Sequence, residues 1–112
     1  ILIAQIEHCD ALPNLEKIFG SGLVDGYIVG PYDLSCSLGV PGDFEHPDML
    51  AALTQIKESA KKYSVPGGLH VVEPDVEMMQ KSIKSGHQIV IYSVDFRILE
   101  KSLSNAITEL RG

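Results

Sequence analysis

Residues 1–30 read ILIAQIEHCDALPNLEKIFGSGLVDGYIVG. The opening ILIAQI (1–6) is almost wholly apolar, rich in β-formers and without alternation, the pattern of a strand covered on both faces. Leu12, Leu15, Ile18 and Phe19 then recur at helical spacing over 11–19, with Asp10 placed to cap the start and Gly20 and Gly22 to end it. DGYIVG (25–30) returns to a short buried strand. A strand, a helix and a second strand in so short a span predict two parallel strands joined by a right-handed crossover.

The rhythm continues to the C-terminus. Residues 31–46 are rich in Gly, Pro, Ser and Asp and read as one long irregular stretch, and such loops in compact domains are usually functional or disordered. Pro47 opens a helix in which Met49, Leu53, Ile56, Ala60 and Tyr63 form one apolar stripe, with Lys57, Lys61 and Lys62 toward its C-terminal end, where the helix dipole favours cations. A third strand is predicted over 69–72. Pro74 and Asp75 start a third helix carrying Val76, Met79 and Ile83, which Gly86 ends. A fourth strand is predicted over 88–94, and a last helix over 96–110, with Leu99, Leu103, Ala106 and Leu110 on one face. The order is β-α-β-α-β-α-β-α. Two architectures fit it: an open doubly wound sheet, or part of a (β/α)₈ barrel. A whole barrel takes ~250 residues, and this chain has 112.

Composition narrows the partners. The chain is 45% apolar and 21% charged, with 9 basic against 15 acidic residues and a formal charge of −6. That is a soluble globular composition, and it offers no basic stripe for duplex nucleic acid. The longest apolar runs fall far short of the ~20 residues a bilayer span needs. Two cysteines, Cys9 and Cys36, are too few for a disulfide scaffold and read as reduced thiols of a cytoplasmic protein. No leader peptide is visible, and a first residue of Ile rather than Met points to a piece of something longer.

In parallel α/β folds the chemistry gathers at the C-terminal ends of the strands. Glu7 ends the first strand and Asp33 lies just past the second, one βα unit on. Two carboxylates on adjacent strand ends make a hard-cation site for Mg²⁺ or Mn²⁺. The same residues equally suit a helix cap and a turn former. In GPYDLS (30–35), Gly30 and Pro31 break the strand, and the next backbone N–H groups, on Tyr32 and Asp33, are placed to hold a carboxylate or phosphate oxygen. An ordinary Gly-Pro turn is the other reading.

QIE (5–7), Val24-Asp25-Gly26, GPYDLS (30–35), SLGVPGDFEHP (37–47), GGLHVVEPD (67–75) and SVDFRIL (93–99) together resemble the C-terminal half of the HpcH/HpaI aldolase family, the metal-dependent 4-hydroxy-2-oxo acid aldolases. The pieces follow the family's order and spacing over essentially the whole chain. The resemblance implies that residues 1–112 are strands five to eight of a (β/α)₈ TIM barrel, a half-barrel. It implies a lyase that cleaves a 4-hydroxy-2-oxo acid to pyruvate, or another 2-oxo acid, and an aldehyde. Glu7 and Asp33 then resemble the metal-binding carboxylates, with Mg²⁺ or Mn²⁺ as cofactor. The N–H groups of Tyr32 and Asp33 resemble those that hold the pyruvate carboxylate. The metal would chelate the oxo acid through its keto and carboxylate oxygens and stabilise the enolate left by cleavage.

The family's catalytic His and enolate-facing Arg lie on the other half of the barrel, so this chain alone is expected to be inactive. The chain departs from the pattern at Tyr32, where a small residue is usual, and at Ser93, where Gly is usual. His70 stands where an apolar residue often faces the aldehyde, and counts as a substrate-binding candidate. A half-barrel that binds metal and oxo acid without turnover, and a citrate-lyase-like or malyl-CoA-lyase-like enzyme, are the alternative readings. A bare barrel-facing sheet predicts a homo-oligomer or a complementing N-terminal half. Of the remaining residues, His8, Cys9 and Cys36 lack recognised metal spacing. His46 reads as a loop residue, His87 as solvent-exposed, Met78 and Met79 as core, and Arg97 and Asp95 as rim residues beyond the fourth strand.

Overall fold

A computed structural model describes residues 1–112. Strand alternation sets its layers. In β1 (Ile3–Ile6), Ala4 and Ile6 turn to one side and Ile3 and Gln5 to the other. β2 (Gly26–Val29), β3 (Gly67–Val71) and β4 (Ile89–Tyr92) complete a four-stranded sheet in the order β1-β2-β3-β4. Every pairing is parallel, with Ile6 beside Val29, Val29 beside Leu69, and His70 beside Ile91. No helix is long and apolar enough to cross a membrane.

This order separates the two architectures. A doubly wound sheet reverses its strand order at a switch point, which puts helices on both faces. Here each strand is added on the same side of the last. Right-handed crossovers then deliver every helix to one face, as around a barrel.

That helix-covered face holds the core. Ile6, Tyr27 and Val29 from the sheet meet Leu15 and Phe19 of α1 (Leu15–Gly20), Leu34 of α2 (Pro31–Ser37), and Met49, Ala52, Ile56 and Ala60 of α3 (Pro47–Lys62). Burying each large apolar side chain among these contributes ~1.5–3 kcal/mol. The Phe19 and Tyr27 rings pack with centroids 5.2 Å apart. Tyr27 also lies across Gly67, where a Cβ would come within 1.9 Å of the ring, so only glycine fits. The opposite face has no second layer. Ile3 is 39% and Ile91 38% exposed there, and Ile28 and Ile89 are half-buried.

Several local expectations need correction. Residues 31–46 are not irregular throughout, because α2 occupies Pro31–Ser37. The first helix is split into a 3-10 turn (Cys9–Asn14) followed by α1. Pro13 sits where the turn would otherwise continue as regular helix, and a proline has no N–H to give. Asp10 does not cap this turn. His8 does, its Nδ1 accepting the Asp10 N–H at 3.2 Å. His46 caps α3 in the same way, accepting the Asp48 N–H at 3.2 Å. Asp75 caps α4 (Val76–Lys84) as expected, its Oδ1 accepting from Glu77 and Met78 at 2.8 and 3.1 Å. Met78 is exposed rather than core. α5 (Asp95–Arg111) buries none of its residues and carries Phe96, Leu99, Leu103 and Ile107 bare.

Candidate functional site

The site begins where β1 and β2 end side by side. The ladder runs one bond past the strands, with the Gly30 N–H donating to Ile6 O at 3.2 Å. Glu7 and Gly30 therefore face each other at the sheet's C-terminal rim. A Cβ at Gly30 would lie 3.1 Å from both Glu7 Cβ and Glu7 Oε2, so the carboxylate lies directly over the glycine backbone. Gln5, one step back on the same face of β1, donates from Nε2 to Glu7 Oε2 at 2.6 Å. That bond fixes one oxygen and leaves Oε1 available.

GPYDLS divides its labour around this contact. Gly30 precedes α2 as its N-cap residue, without a side-chain capping bond, and Pro31 is the first helical residue. The first N–H groups of a helix have no carbonyl a turn behind them. Pro31 has no N–H, and the Leu34 N–H already reaches Gly30 O at 3.0 Å. The unpartnered positions of the first turn thus fall on Tyr32 and Asp33. Leu34 is fully buried and anchors the helix to the core. Ser35, also fully buried, donates to Tyr32 O at 2.7 Å and accepts the Gly42 N–H at 3.0 Å, pinning the loop after α2. Tyr32 packs edge-on against Phe44 of that loop, with centroids 5.0 Å apart. Asp33 is exposed, in the first turn, on the rim beside Glu7's strand.

His70 lies on the same sheet face. Leu69 packs against the core and Val71 is buried, so the residue between them faces the other way. Its Nε2 lies 3.1 Å from Ser93 O. Ser93 is buried and leaves β4 in the left-handed region, at φ 57°.

The other candidates are engaged elsewhere. Arg97 pairs with Glu73 at 2.6 Å and with Glu100, and hydrogen bonding to Glu73 is the main cause holding its pKa above the usual arginine value. Asp95 Oδ1 accepts the Phe96 N–H at 2.7 Å, within the first turn of α5. His8, Cys9 and Asp10 offer ligand atoms within 4.8 Å of one another, but His8 Nδ1 is committed to its cap. Cys36 is exposed on α2. His87 is not solvent-exposed as expected. Its Nδ1 sits 3.0 Å from both Ser82 Oγ and Ser85 Oγ, and burial, aided by the charge on Lys57, pushes its pKa down against the opposing pull of the Ser82 carbonyl. An apolar cavity of about 360 Å³ opens beside β3, lined by Tyr32, Met49, Leu53, Leu69, His70 and Met78 among others, and neither Glu7 nor Asp33 lines it.

Sequence reasoning proposed Glu7, which ends β1, Tyr32 and Asp33, which lie in the first turn of α2 just past β2, and His70, which lies in β3 with its ring on Ser93 O. It missed Gln5 as the partner of Glu7 and Ser35 as the staple of the loop. Strand alternation was the available signal for Gln5, because residues 5 and 7 share a face.

Four parallel strands in sequential order, helices on one face and an open opposite face match a segment of a (β/α) barrel. The profile of the family described as HpcH/HpaI aldolase/citrate lyase matches residues 1–101, and the chain belongs to that family. It is 36% identical over 94 residues to a hydroxypyruvate/pyruvate aldolase of Sagittula stellata, covering 84% of this chain and 36% of that protein. It is 32% identical over 111 residues to a 2-keto-3-deoxy-L-rhamnonate aldolase of Klebsiella pneumoniae, covering 99% of this chain and 41% of that one. Its fold superposes on the crystal structure of an HpcH/HpaI aldolase/citrate lyase family protein from Burkholderia cenocepacia with a TM-score of 0.89 at 29% identity, covering 98% of this chain and 42% of the other. The chain thus spans about two fifths of these proteins and corresponds to part of a barrel.

Proposed function

We propose that residues 1–112 are the C-terminal half of an HpcH/HpaI barrel, strands five to eight, and supply the metal and oxo-acid end of an aldolase. The reaction is cleavage of a 4-hydroxy-2-oxo acid into pyruvate, or another 2-oxo acid, and an aldehyde. The observation that carries this reading is the Glu7 carboxylate lying over Gly30, one helical turn before Asp33.

The donor set fits a hard divalent cation. Glu7 and Asp33 offer only oxygen, and Glu7 keeps Oε1 available for a ligand, as Mg²⁺ or Mn²⁺ requires. Such a cation supplies Lewis acidity toward the keto and carboxylate oxygens of the substrate. The rest falls to the chain's own groups. Gln5 holds Glu7 in its orientation. The Tyr32 and Asp33 N–H groups receive the substrate carboxylate, Ser35 and Phe44 keep that turn in place, and His70 borders the aldehyde side. The proton-transferring His and the enolate-facing Arg belong to the missing half. General acid–base catalysis is worth roughly 10²–10⁴ in rate, so the isolated chain lacks useful turnover.

Pyruvate release from a 4-hydroxy-2-oxo acid, assayed with the full-length protein that carries this chain and with Mg²⁺ or Mn²⁺, tests the reading. Glu7→Gln and Asp33→Ala should each lower kcat/KM by roughly 100-fold or more. Unchanged turnover in both variants, or full turnover by the 112-residue chain alone, contradicts it.

A further inference from the structure

The sheet carries a second pocket at the N-terminal ends of its strands, the end away from Glu7 and Asp33. A space of about 460 Å³ opens there between the end of α3, the start of β3 and the α4–β4 connection. Lys57, Lys61, Ser64, His87 and Gln88 line it, together with Tyr27. No carboxylate does, in a chain with 15 acidic residues against 9 basic.

Tyr27 has an unmet hydrogen bond. The residue is 4% exposed, its ring is held between Phe19 and Gly67, and its hydroxyl bonds to no protein group. Leaving a buried hydroxyl without a partner is costly. Every side-chain polar atom sealed inside the chain has a partner, so this hydroxyl is not sealed. Its tip lies over Gly67, which lines the pocket too, and so opens onto it. Burial pushes its pKa up, so it keeps its proton and donates.

The lysines near the end of α3 have different partners. Lys62 is held by Glu16, and Lys57 donates to Ser85 O at 2.9 Å, which fixes its ammonium at the pocket. Lys61 lines the pocket with no carboxylate or carbonyl partner. Bare carbonyls at the ends of α3 and α4 would oppose an anion, but these are occupied. Ala60 O accepts from Tyr63 and Val65, Lys61 O from Ser64, and Ser85 O from Lys57. The pocket is a set of donors short of an acceptor. Two ammonium groups beside a hydroxyl suit a doubly charged oxyanion better than a single carboxylate.

We propose that this pocket binds a phosphate group, free or carried on a small metabolite, through the Tyr27 hydroxyl, Lys57 and Lys61. None of these residues takes part in the aldolase reading, so the two stand or fall separately.

Calorimetric titration of the metal-free full-length protein with inorganic phosphate, glycerol 3-phosphate and succinate tests it. Saturable binding of phosphate is expected, with succinate weaker. Tighter binding of glycerol 3-phosphate assigns the group to a metabolite, and equal or weaker binding assigns it to the free ion. Tyr27→Phe keeps the ring that packs on Phe19 and removes only the hydroxyl. It and Lys61→Gln should each weaken binding roughly 10-fold, the worth of one hydrogen bond to a charged group. Lys62→Gln should leave affinity unchanged, because Glu16 already holds that ammonium. No saturation with either phosphate compound, or succinate binding as tightly as phosphate, overturns the proposal. Unchanged affinity in Tyr27→Phe does so as well, because water alone then meets the hydroxyl. Equal losses in Lys61→Gln and Lys62→Gln also overturn it, since they mark general charge rather than a site.

Discussion

At Gly30 the absence of a side chain is what lets two strand ends share one site. Glu7 occupies the space that a Cβ would need, at 3.1 Å from two of its atoms. Gly30→Ala should therefore move the Glu7 carboxylate before it unfolds anything. Expected is a weaker Mn²⁺ affinity by titration, with a stability loss of ~1–3 kcal/mol in urea denaturation. Intact affinity with the glycine replaced would separate Glu7 from the metal. Gly67→Ala is the contrasting case. Its Cβ would meet the Tyr27 ring at 1.9 Å, inside the core, so it should lower Tm and leave the rim chemistry to fail only through unfolding. The positions of Glu7 at a strand end and of Asp33 just past one were legible because strand ends follow from apolar runs. The His8 and His46 caps and the pairing of Arg97 with Glu73 were not, because each depends on a side-chain rotamer that no periodicity encodes.

The one helix missing from the sequence reading is α2, and the reason is local. Its seven residues, PYDLSCS, are too few for an apolar stripe and are flanked by Gly, Pro and Ser, the usual marks of a loop. Tertiary anchors make it a helix: Leu34 in the core and Ser35 bonded both to Tyr32 O and to the Gly42 N–H. Ser35→Ala removes both bonds of this buried hydroxyl and should cost ~0.5–1.5 kcal/mol per bond in denaturant unfolding. The longer helices α3, α4 and α5 were legible from their stripes and Pro or Asp starts, to within a residue or two. The α4–β4 connection carries a pH dependence. His87 has its pKa lowered in the fold, chiefly by burial. Below the free value of ~6.5 the unfolded chain takes up the proton more readily than the folded one. Stability contributed by the neutral ring is therefore full above that value and lost as pH falls toward the depressed one. Unfolding midpoints between roughly pH 8 and pH 5 should decline in the parent and decline less in His87→Gln. Equal slopes would show that the imidazole is not the group responsible.

Over the whole chain the sequential strand order leaves one face of the sheet bare, and two edges, β1 and β4, unpaired. The element pattern alone left a doubly wound sheet and a barrel segment open, because strand order is a property of packing partners and not of any local pattern, and only the motif resemblance pointed to the barrel. The exposed Ile3 and Ile91, with Phe96, Leu99, Leu103 and Ile107 of α5, amount to an apolar surface that water does not stabilise. The isolated chain should sediment as a dimer or larger species at low micromolar concentration, and a 12.2 kDa monomer with a cooperative melt would argue for a self-sufficient sheet. The most direct measurement on the site is calorimetric titration of the full-length protein with Mn²⁺, beside Glu7→Gln and Asp33→Ala variants verified as folded by circular dichroism. The strand-end assignment predicts saturable binding in the parent and its loss in both variants. Binding as tight in either variant as in the parent would contradict it.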